Sequence, residues 1–336
     1  MRLKKAILLL SITALLIGCA VLQKDQAPQS IEIGFYNVEN FFDTIDAPDK
    51  EDEYFLPTGP TEWNDWRYKK KLVQVLRVYN EMGRPELLGL SEVENASVLD
   101  DLAEKFTNQM EFVHFESPDK RGIDVGLMYS TRVFELKEKA FVRISFPDSI
   151  VEDYTTRDIL YAVLETNSRK DLHVFVNHWP SRRGGLEASS PKREHVANTL
   201  RDFMREKKLN LQKDAILLMG DFNDEPSNKS ISVNLGAGQI GEDHLFYNLM
   251  HDVEQKDDGS YNYRGDWNAL DQFIVSTKLI NGQKDDLELT DPEVFKREFM
   301  IYRDEKYGEK PNRTYGGPNY YGGISDHYPI RATLYY

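Results

Sequence analysis

Along residues 31–336, dense apolar runs of strand length alternate with stretches of helical spacing. The strand-like runs fall at 31–37, 86–92, 124–130, 139–146, 157–165, 171–178, 214–220, 270–276 and 330–335. One of them, Ala215 to Met219, contains no polar residue, the pattern of a buried strand. Helical periodicity marks 64–82, where Leu72, Val75, Leu76 and Tyr79 recur at i, i+3, i+4 and i+7. It also marks 95–107 and 190–208, the latter with Ser190-Pro191 as its start. Strands run consecutively through 124–178, and 139–178 reads as an antiparallel meander. This order predicts an α/β (α+β) architecture of two packed sheets with helices outside, and fits a doubly wound sheet less well. Neither a repeat nor an inter-domain linker interrupts 31–336, whereas 43–62 and 281–323 are polar, rich in Gly and Pro, and read as long loops at a functional rim.

The strand ends carry the chemistry. "IEIGFYN" closes on Asn37, "ELLGLSE" on Glu92, and "LHVFVNH" on Asn177 and His178. "AILLMGD" opens into Asp221 and Asn223, with Asp224 and Pro226 as turn residues beyond. Polar groups commonly end strands, but four such endings with catalytic-type side chains predict one shared edge, where α/β folds place their sites. The C-terminal "GGISDHYPI" adds Ser325, Asp326 and His327 in a Gly-flanked turn. A carboxylate beside a histidine orients the imidazole or shares a metal with it. Asp271 sits at the start of an apolar strand, where an unpaired carboxylate is costly and a histidine partner would relieve it.

Composition narrows the chemistry. The formal charge of −14 excludes a protein that coats nucleic acid through a basic surface, though not an enzyme with a local basic groove. "MRLKKAILLLSITALLIGCA" has a basic start and an apolar run from Ala6 to Ile17, the layout of an export signal and too short to span a membrane comfortably. Its Leu16-Ile17-Gly18-Cys19 resembles the bacterial lipobox. Residues 1–19 are therefore expected to be a lipoprotein signal ending at a lipidated Cys19, with 20–30 as a tether and 31–336 as the domain, an exported protein held at the cell envelope, outer membrane or cell surface. Loss of Arg2, Lys4 and Lys5 with the signal would take the charge from −14 to −17. Cys19 is the only cysteine, so a metal in the mature domain must be held by oxygen or imidazole.

The motifs "FYNVENFF", "LSEVEN", "RGIDVGLMY", "TRDILYAVLE", "VNHWPSRRGG", "MGDFNDEP", "YNYRGDWNALDQFIVS" and "GGISDHYPI" resemble, in order, the endonuclease/exonuclease/phosphatase superfamily, the class of deoxyribonuclease I and exonuclease III. The resemblance spans about 31–336 and implies a four-layered α/β sandwich, two packed mixed β-sheets flanked by helices. It makes Glu92 the principal ligand of a divalent metal, with Asn37 beside it and Asp326 as a further candidate. Oxygen ligands favour Mg²⁺, with Mn²⁺ or Ca²⁺ as alternatives. Asp221 would position or deprotonate the attacking water and Asn223 would hold it or the phosphate. His327, oriented by Asp271, would form the family's Asp–His pair. His178 would donate to a non-bridging phosphate oxygen with Asp124 behind it, and Arg157 matches an arginine beside the site. Whether Asp221 or His327 takes the proton stays open at this stage.

Two positions depart from the family pattern. Gln272 replaces a histidine that many relatives carry, and Asp124 replaces a tyrosine of some DNA-processing relatives. His114, His173, His195, His244 and His251 fit no motif and read as surface or structural residues. "RYKKK" (67–71) reads as a solvated helix face. Arg182 and Arg183 are candidates for phosphate contact, Tyr261, Tyr263 and Trp267 for base stacking or core packing, and Arg313, Tyr315, Tyr320 and Tyr321 for a rim. The expected activity is hydrolysis of a phosphodiester, with DNA or RNA as substrate. Lipid head groups and inositol or other small phosphate esters are alternatives, as is a non-catalytic binding protein on the same scaffold.

Overall fold

The protein is described by a computed structural model covering residues 29–280 and 286–336. The expected signal, Cys19 and tether residues 20–28 lie outside the described residues. Among those described, no helix is long and apolar enough to cross a membrane.

The first sheet contains β1 (Ser30–Phe41), β2 (Leu87–Val93), β3 (Met110–His114), β4 (Asp124–Ser130), β14 (Glu288–Val294) and β19 (Ile330–Tyr335), in the order β14-β19-β1-β2-β4-β3. The second contains β5 (Phe134–Val142), β6 (Ile159–Thr166), β7 (Asp171–His178), β8 (Ala215–Asp221), β9 (Ala237–Gly238), β10 (Phe246–Asn248) and β13 (Asp271–Val275), in the order β5-β6-β7-β8-β13-β10-β9. Each sheet is mixed and has a parallel pair at its centre, β1 with β2 and β7 with β8. Helix α1 (Asp65–Glu81) lies between the first pair in sequence and α3 (Leu186–Glu206) between the second, so each pair is a βαβ unit. Both units deliver the C-terminal ends of their strands to one edge.

Alternation along the strands builds the layers. Phe35, Val125 and Leu127 from the first sheet meet Val174, Val176, Leu217, Met219 and Phe273 from the second. Leu88 and Leu90 point the other way, against Leu72, Val75 and Tyr79 of α1 and Leu99 and Leu102 of α2 (Ala96–Lys105). Tyr161, Ile216 and Leu218 pack likewise on Val196, Leu200 and Met204 of α3. Ala215 to Met219 can be apolar throughout because both of its faces are covered. The result is the expected four-layered sandwich. Gly89 lets the sheets approach: a Cβ there would lie 2.5 Å from Met219 Sδ.

The elements differ from expectation in several places. The strand expected at 139–146 spans 134–142, and β3 is not legible in the sequence because only five residues separate helix-like from turn-like segments. Helix α3 begins at Leu186 rather than Ser190, so Pro191 lies inside it. Gly184 and Gly185, both at positive φ, make the preceding turn, and the buried Arg193 ties the first turn down through Leu186 O and Ser189 Oγ. The expected loop 281–323 instead holds the edge strand β14 and two hairpins, β15 (Ile301–Asp304) with β16 (Gly308–Pro311) and β17 (Tyr315–Gly316) with β18 (Asn319–Tyr320). Strand β14 reads as polar because it pairs on one side only and carries a bulge between Thr290 and Glu293, around Pro292. A third hairpin, β11 (Tyr261–Tyr263) with β12 (Asp266–Asn268), and the short α4 (His251–Gln255) complete the chain.

Candidate active site

Departures from regular strand geometry aim the side chains at this edge. Glu92 sits at φ 62°, where β2 slips register against β4 between Ser91 and Val93. A left-handed conformation costs a glutamate on the order of 1–3 kcal/mol. The bulge turns its carboxylate into the site, and Asn40 N, also on a left-handed residue (φ 50°), donates to Oε2 at 2.8 Å. Asn223 is left-handed too (φ 50°), and its N–H donates to Asp221 Oδ1 at 2.9 Å. Gly220 lets β8 press against β7, since a Cβ there would meet Asn177 O at 2.3 Å.

Six of the expected residues converge. Asn37 Nδ2 bridges two carboxylates, donating to Glu92 Oε1 at 3.3 Å and to Asp221 Oδ2 at 3.1 Å. His178 Nε2 lies 3.8 Å from Glu92 Oε1 and 3.7 Å from Asp221 Oδ2, and its Nδ1 is buried without a hydrogen-bond partner. His327 Nε2 lies 3.8 Å from the same Asp221 oxygen, and its Nδ1 is 2.7 Å from Asp271 Oδ2. The Ser325 hydroxyl holds the C-terminal turn on β1, donating to Asn37 O at 2.7 Å and accepting from His327 N at 3.1 Å.

The two histidines titrate in opposite directions. Burial, together with Arg157, Arg121 and His327, pushes His178 well below its ordinary value, so it is neutral at pH 7. Burial also disfavours a charged His327, but Asp271 and Asp221 outweigh it and hold His327 well above the ordinary value, as an imidazolium. Burial raises Asp221, with Asp271 adding to the effect and His327 opposing it. A neutral donor, a cation and a carboxylate of raised basicity thus share one edge.

Beside them lies a group the sequence reading did not single out. Glu39 is buried, accepts from Thr314 N at 2.6 Å and faces Arg313 at 3.6 Å. Arg313 in turn reaches Asp326 Oδ2 at 3.2 Å. Lys71 is not part of a solvated face. It is buried, and its ammonium donates to Glu39 O, Thr314 Oγ1 and Ile324 O. Of "RYKKK" only Lys69 is exposed. Glu39 stands two residues after Asn37 in "FYNVENFF", which is the one sequence signal that could have found it.

A divalent metal fits this edge. Glu92, Asp221, Asp271, Asp326 and Glu39 gather five carboxyl groups at this edge, with His327, Arg313 and Lys71 among the cations beside them. Asp221, Asp271 and His327 offer ligand atoms within 4.8 Å of one another. Glu92 is the more accessible carboxylate, with 16% of its side chain exposed against 2% for Asp221, which suits it to an incoming cation. Thiolate donors are ruled out by the lone Cys19, so the ligands are oxygen atoms of the Glu92 kind.

Other expected residues are placed differently. Arg157 is buried, donating to Trp179 O at 2.7 Å and Asp119 Oδ2 at 3.3 Å, one residue from His178. Asp124 does not stand behind His178; its carboxylate meets Ser117 N at 3.1 Å and His114 Nε2 at 3.3 Å. Arg182 spends its guanidinium on Asn223 O, Asn268 and Asn228, so it fixes the Asn223 turn, and the exposed Arg183 is the freer cation. Asp224 is more than a turn residue: it is buried against Arg193, Oδ2 to Nε 2.7 Å. Arg193 lies on the apolar stripe of α3 with Val196, Leu200 and Met204, and a charge on such a stripe signals a buried pair. Gln272 is structural, donating to Asp224 O and Ala269 O and accepting from Asn248. Trp267 stacks on Tyr328, and Tyr261 lies 4.9 Å from the His327 ring. Trp66 and Tyr321 are 64% and 61% exposed, with Lys70 5.5 Å above Trp66 and Arg67 4.4 Å above Tyr320. Lys71 links this cluster to Ile324, immediately before the Ser325–His327 turn.

Two mixed sheets between helices, with carboxylate, amide and imidazole groups meeting at the C-terminal ends of the parallel strands, define a phosphoester hydrolase scaffold. The chain belongs to the endonuclease/exonuclease/phosphatase family, whose model matches residues 32–335. Members are divalent-metal-dependent phosphoester hydrolases. Among solved structures, the chain resembles an endonuclease/exonuclease/phosphatase family protein from Bacteroides thetaiotaomicron (TM-score 0.55, 14% identity, covering 92% of this chain and 98% of that one). It also resembles the mannosyl-6-phosphatase of B. thetaiotaomicron VPI-5482 (0.56, 16%, 91% and 100%). A third is D. rerio TDP2 complexed with single strand DNA product (0.54, 15%, 92% and 100%). At these identities the likeness is one of fold. No curated protein matches the chain in sequence.

Proposed function

We propose that this protein is a Mg²⁺-dependent phosphodiesterase that hydrolyses single-stranded nucleic acid, exported and anchored at the cell envelope through Cys19. The observation that carries the chemistry is the meeting of Glu92, His178 and His327 around Asp221, each within 3.8 Å of a neighbour. A divalent ion held by Glu92, with Asn37 and Asp326 beside it, would supply Lewis-acid stabilisation of the phosphate and the leaving oxygen. Asp221 accepts a proton from water as the new O–P bond forms and the opposite P–O bond breaks. His327 is already protonated through Asp271 and so serves as a cation beside the developing charge rather than as the base. Neutral His178 donates to a non-bridging oxygen, and Asn223 holds the water or phosphate. Base catalysis of this kind contributes roughly 10²–10⁴-fold.

The substrate choice rests on the rim. Trp66 is exposed with Lys70 beside its ring, Arg67 lies over the ring of Tyr320, and Tyr321 is exposed next in the chain, a combination that suits an unstacked base flanked by phosphates. The test is a panel of single- and double-stranded DNA, RNA, sphingomyelin, inositol phosphates and sugar phosphates, each with Mg²⁺ and Mn²⁺. Single-stranded oligonucleotides should be cleaved fastest. Cleavage of only the lipid or the small esters would overturn the nucleic-acid choice and leave the hydrolase intact. For the anchor, Cys19→Ser should move the protein from the membrane to the soluble fraction, and unchanged retention would refute lipidation.

A further inference from the structure

We propose that His114, Glu116 and Asp124 form a second divalent-metal site, separate from the Glu92 site and suited to Zn²⁺ or Mn²⁺. His114 ends β3, Asp124 begins β4 beside it, and Glu116 follows on the connecting loop. One ligand atom from each lies within 4.8 Å of the other two.

The geometry is that of ligands rather than of a hydrogen bond. His114 Nε2 and Asp124 Oδ2 are 3.3 Å apart, their side chains 6% and 1% exposed, and neither atom has a hydrogen-bond partner. A charge-assisted N–H···O⁻ bond would be about 2.7–2.9 Å. Two ligands bound about 2.0–2.1 Å from one tetrahedral cation stand about 3.3–3.4 Å apart. Asp124 Oδ1 already accepts from Ser117 N at 3.1 Å, which orients the carboxylate and leaves Oδ2 facing the imidazole.

The cation facing this group is Lys50, whose ammonium is committed to Ser117 O at 2.8 Å and Asp119 O at 3.3 Å. One imidazole with two carboxylates and no thiolate favours Zn²⁺ or Mn²⁺ over Mg²⁺. No residue is shared with the Glu92 cluster, although Asp124 pairs with Val93, the residue after Glu92.

The metal-stripped chain without its first 19 residues is dialysed to equilibrium against Zn²⁺ or Mn²⁺, and bound ions are counted by elemental analysis. Wild type should hold two ions. His114→Ala and Glu116→Gln should each retain one, and Glu92→Gln should lose the other. Glu116 is exposed, so its variant keeps the test valid if His114→Ala fails to fold. An unchanged ion count in Glu116→Gln, or a single wild-type ion lost only in Glu92→Gln, would overturn the proposal and leave the hydrolytic reading untouched.

Discussion

Replacing Asp271 with asparagine probes the part of the site that the structure defines most sharply. His327 Nδ1 and Asp271 Oδ2 are 2.7 Å apart, with side chains 7% and 0% exposed. Two unit charges about 4 Å apart at an effective dielectric of about 20 attract by about 4 kcal/mol, equivalent to about 10³ in a rate or equilibrium ratio. Asp271→Asn keeps the shape but removes the anion that holds His327 protonated. Hydrolysis of bis-p-nitrophenyl phosphate should fall by about 10²–10³-fold in kcat/KM at pH 7, the range for losing one group that stabilises developing charge. The alkaline limb of the pH profile should move to lower pH, because wild-type His327 is held well above its ordinary value and the variant is not. Circular dichroism and melting should change little, since a neutral imidazole beside a carboxamide strands no charge. A loss of less than about fivefold, or an unmoved alkaline limb, would refute a role for the His327 cation.

Four further substitutions test the site and its support. Glu92→Gln should abolish metal-stimulated turnover while leaving the fold intact, read as kcat together with isothermal titration of Mn²⁺; retained activity would sink Glu92 as the principal ligand. Arg193→Met takes from buried Asp224 the cation paired with it at 2.7 Å, leaving Ser230 Oγ and the more distant Arg182, and should cost roughly 3–5 kcal/mol in urea unfolding. Asp224→Leu added to Arg193→Met should recover part of that loss, which a pure packing effect would not allow. Burial, with Asp43, Asp52 and Glu116 adding, pushes Glu94 up to about 8 from 4.5. The folded state therefore binds the extra proton, and stability present below the unfolded value is lost as pH rises towards 8. Partial solvent screening limits the effect to a few kcal/mol, roughly. In EDTA, Glu94→Gln should gain melting temperature over wild type between pH 5 and 8; a pH-independent difference would contradict it.

The candidate active-site edge is legible in the sequence because its residues end apolar runs. His178 and Asp221 are the last residues of β7 and β8, Glu92 is the last but one of β2, and Asn37 lies in the C-terminal half of β1, which runs on to Phe41. Less visible is whatever depends on contacts between distant segments. Asp271 announces a need for a partner, and His327 supplies it across 56 residues. By contrast, Lys71 looks solvated within "RYKKK", since nothing local shows that Glu39 O and Ile324 O close over it. The family resemblance puts Asp124 behind His178, but the β3–β4 pairing gives it to His114. Strand β14 and the following hairpins are hidden by composition, because edge strands with bulges carry the Pro and charge of loops.

Metal-dependent turnover tests the central claim most directly. The purified, metal-free chain lacking residues 1–19 is assayed on bis-p-nitrophenyl phosphate with and without Mg²⁺ or Mn²⁺, then with excess EDTA. Hydrolysis should appear with the metal, vanish with EDTA and return when metal is restored. Failure to turn over with any divalent metal, or turnover indifferent to EDTA, would contradict the account.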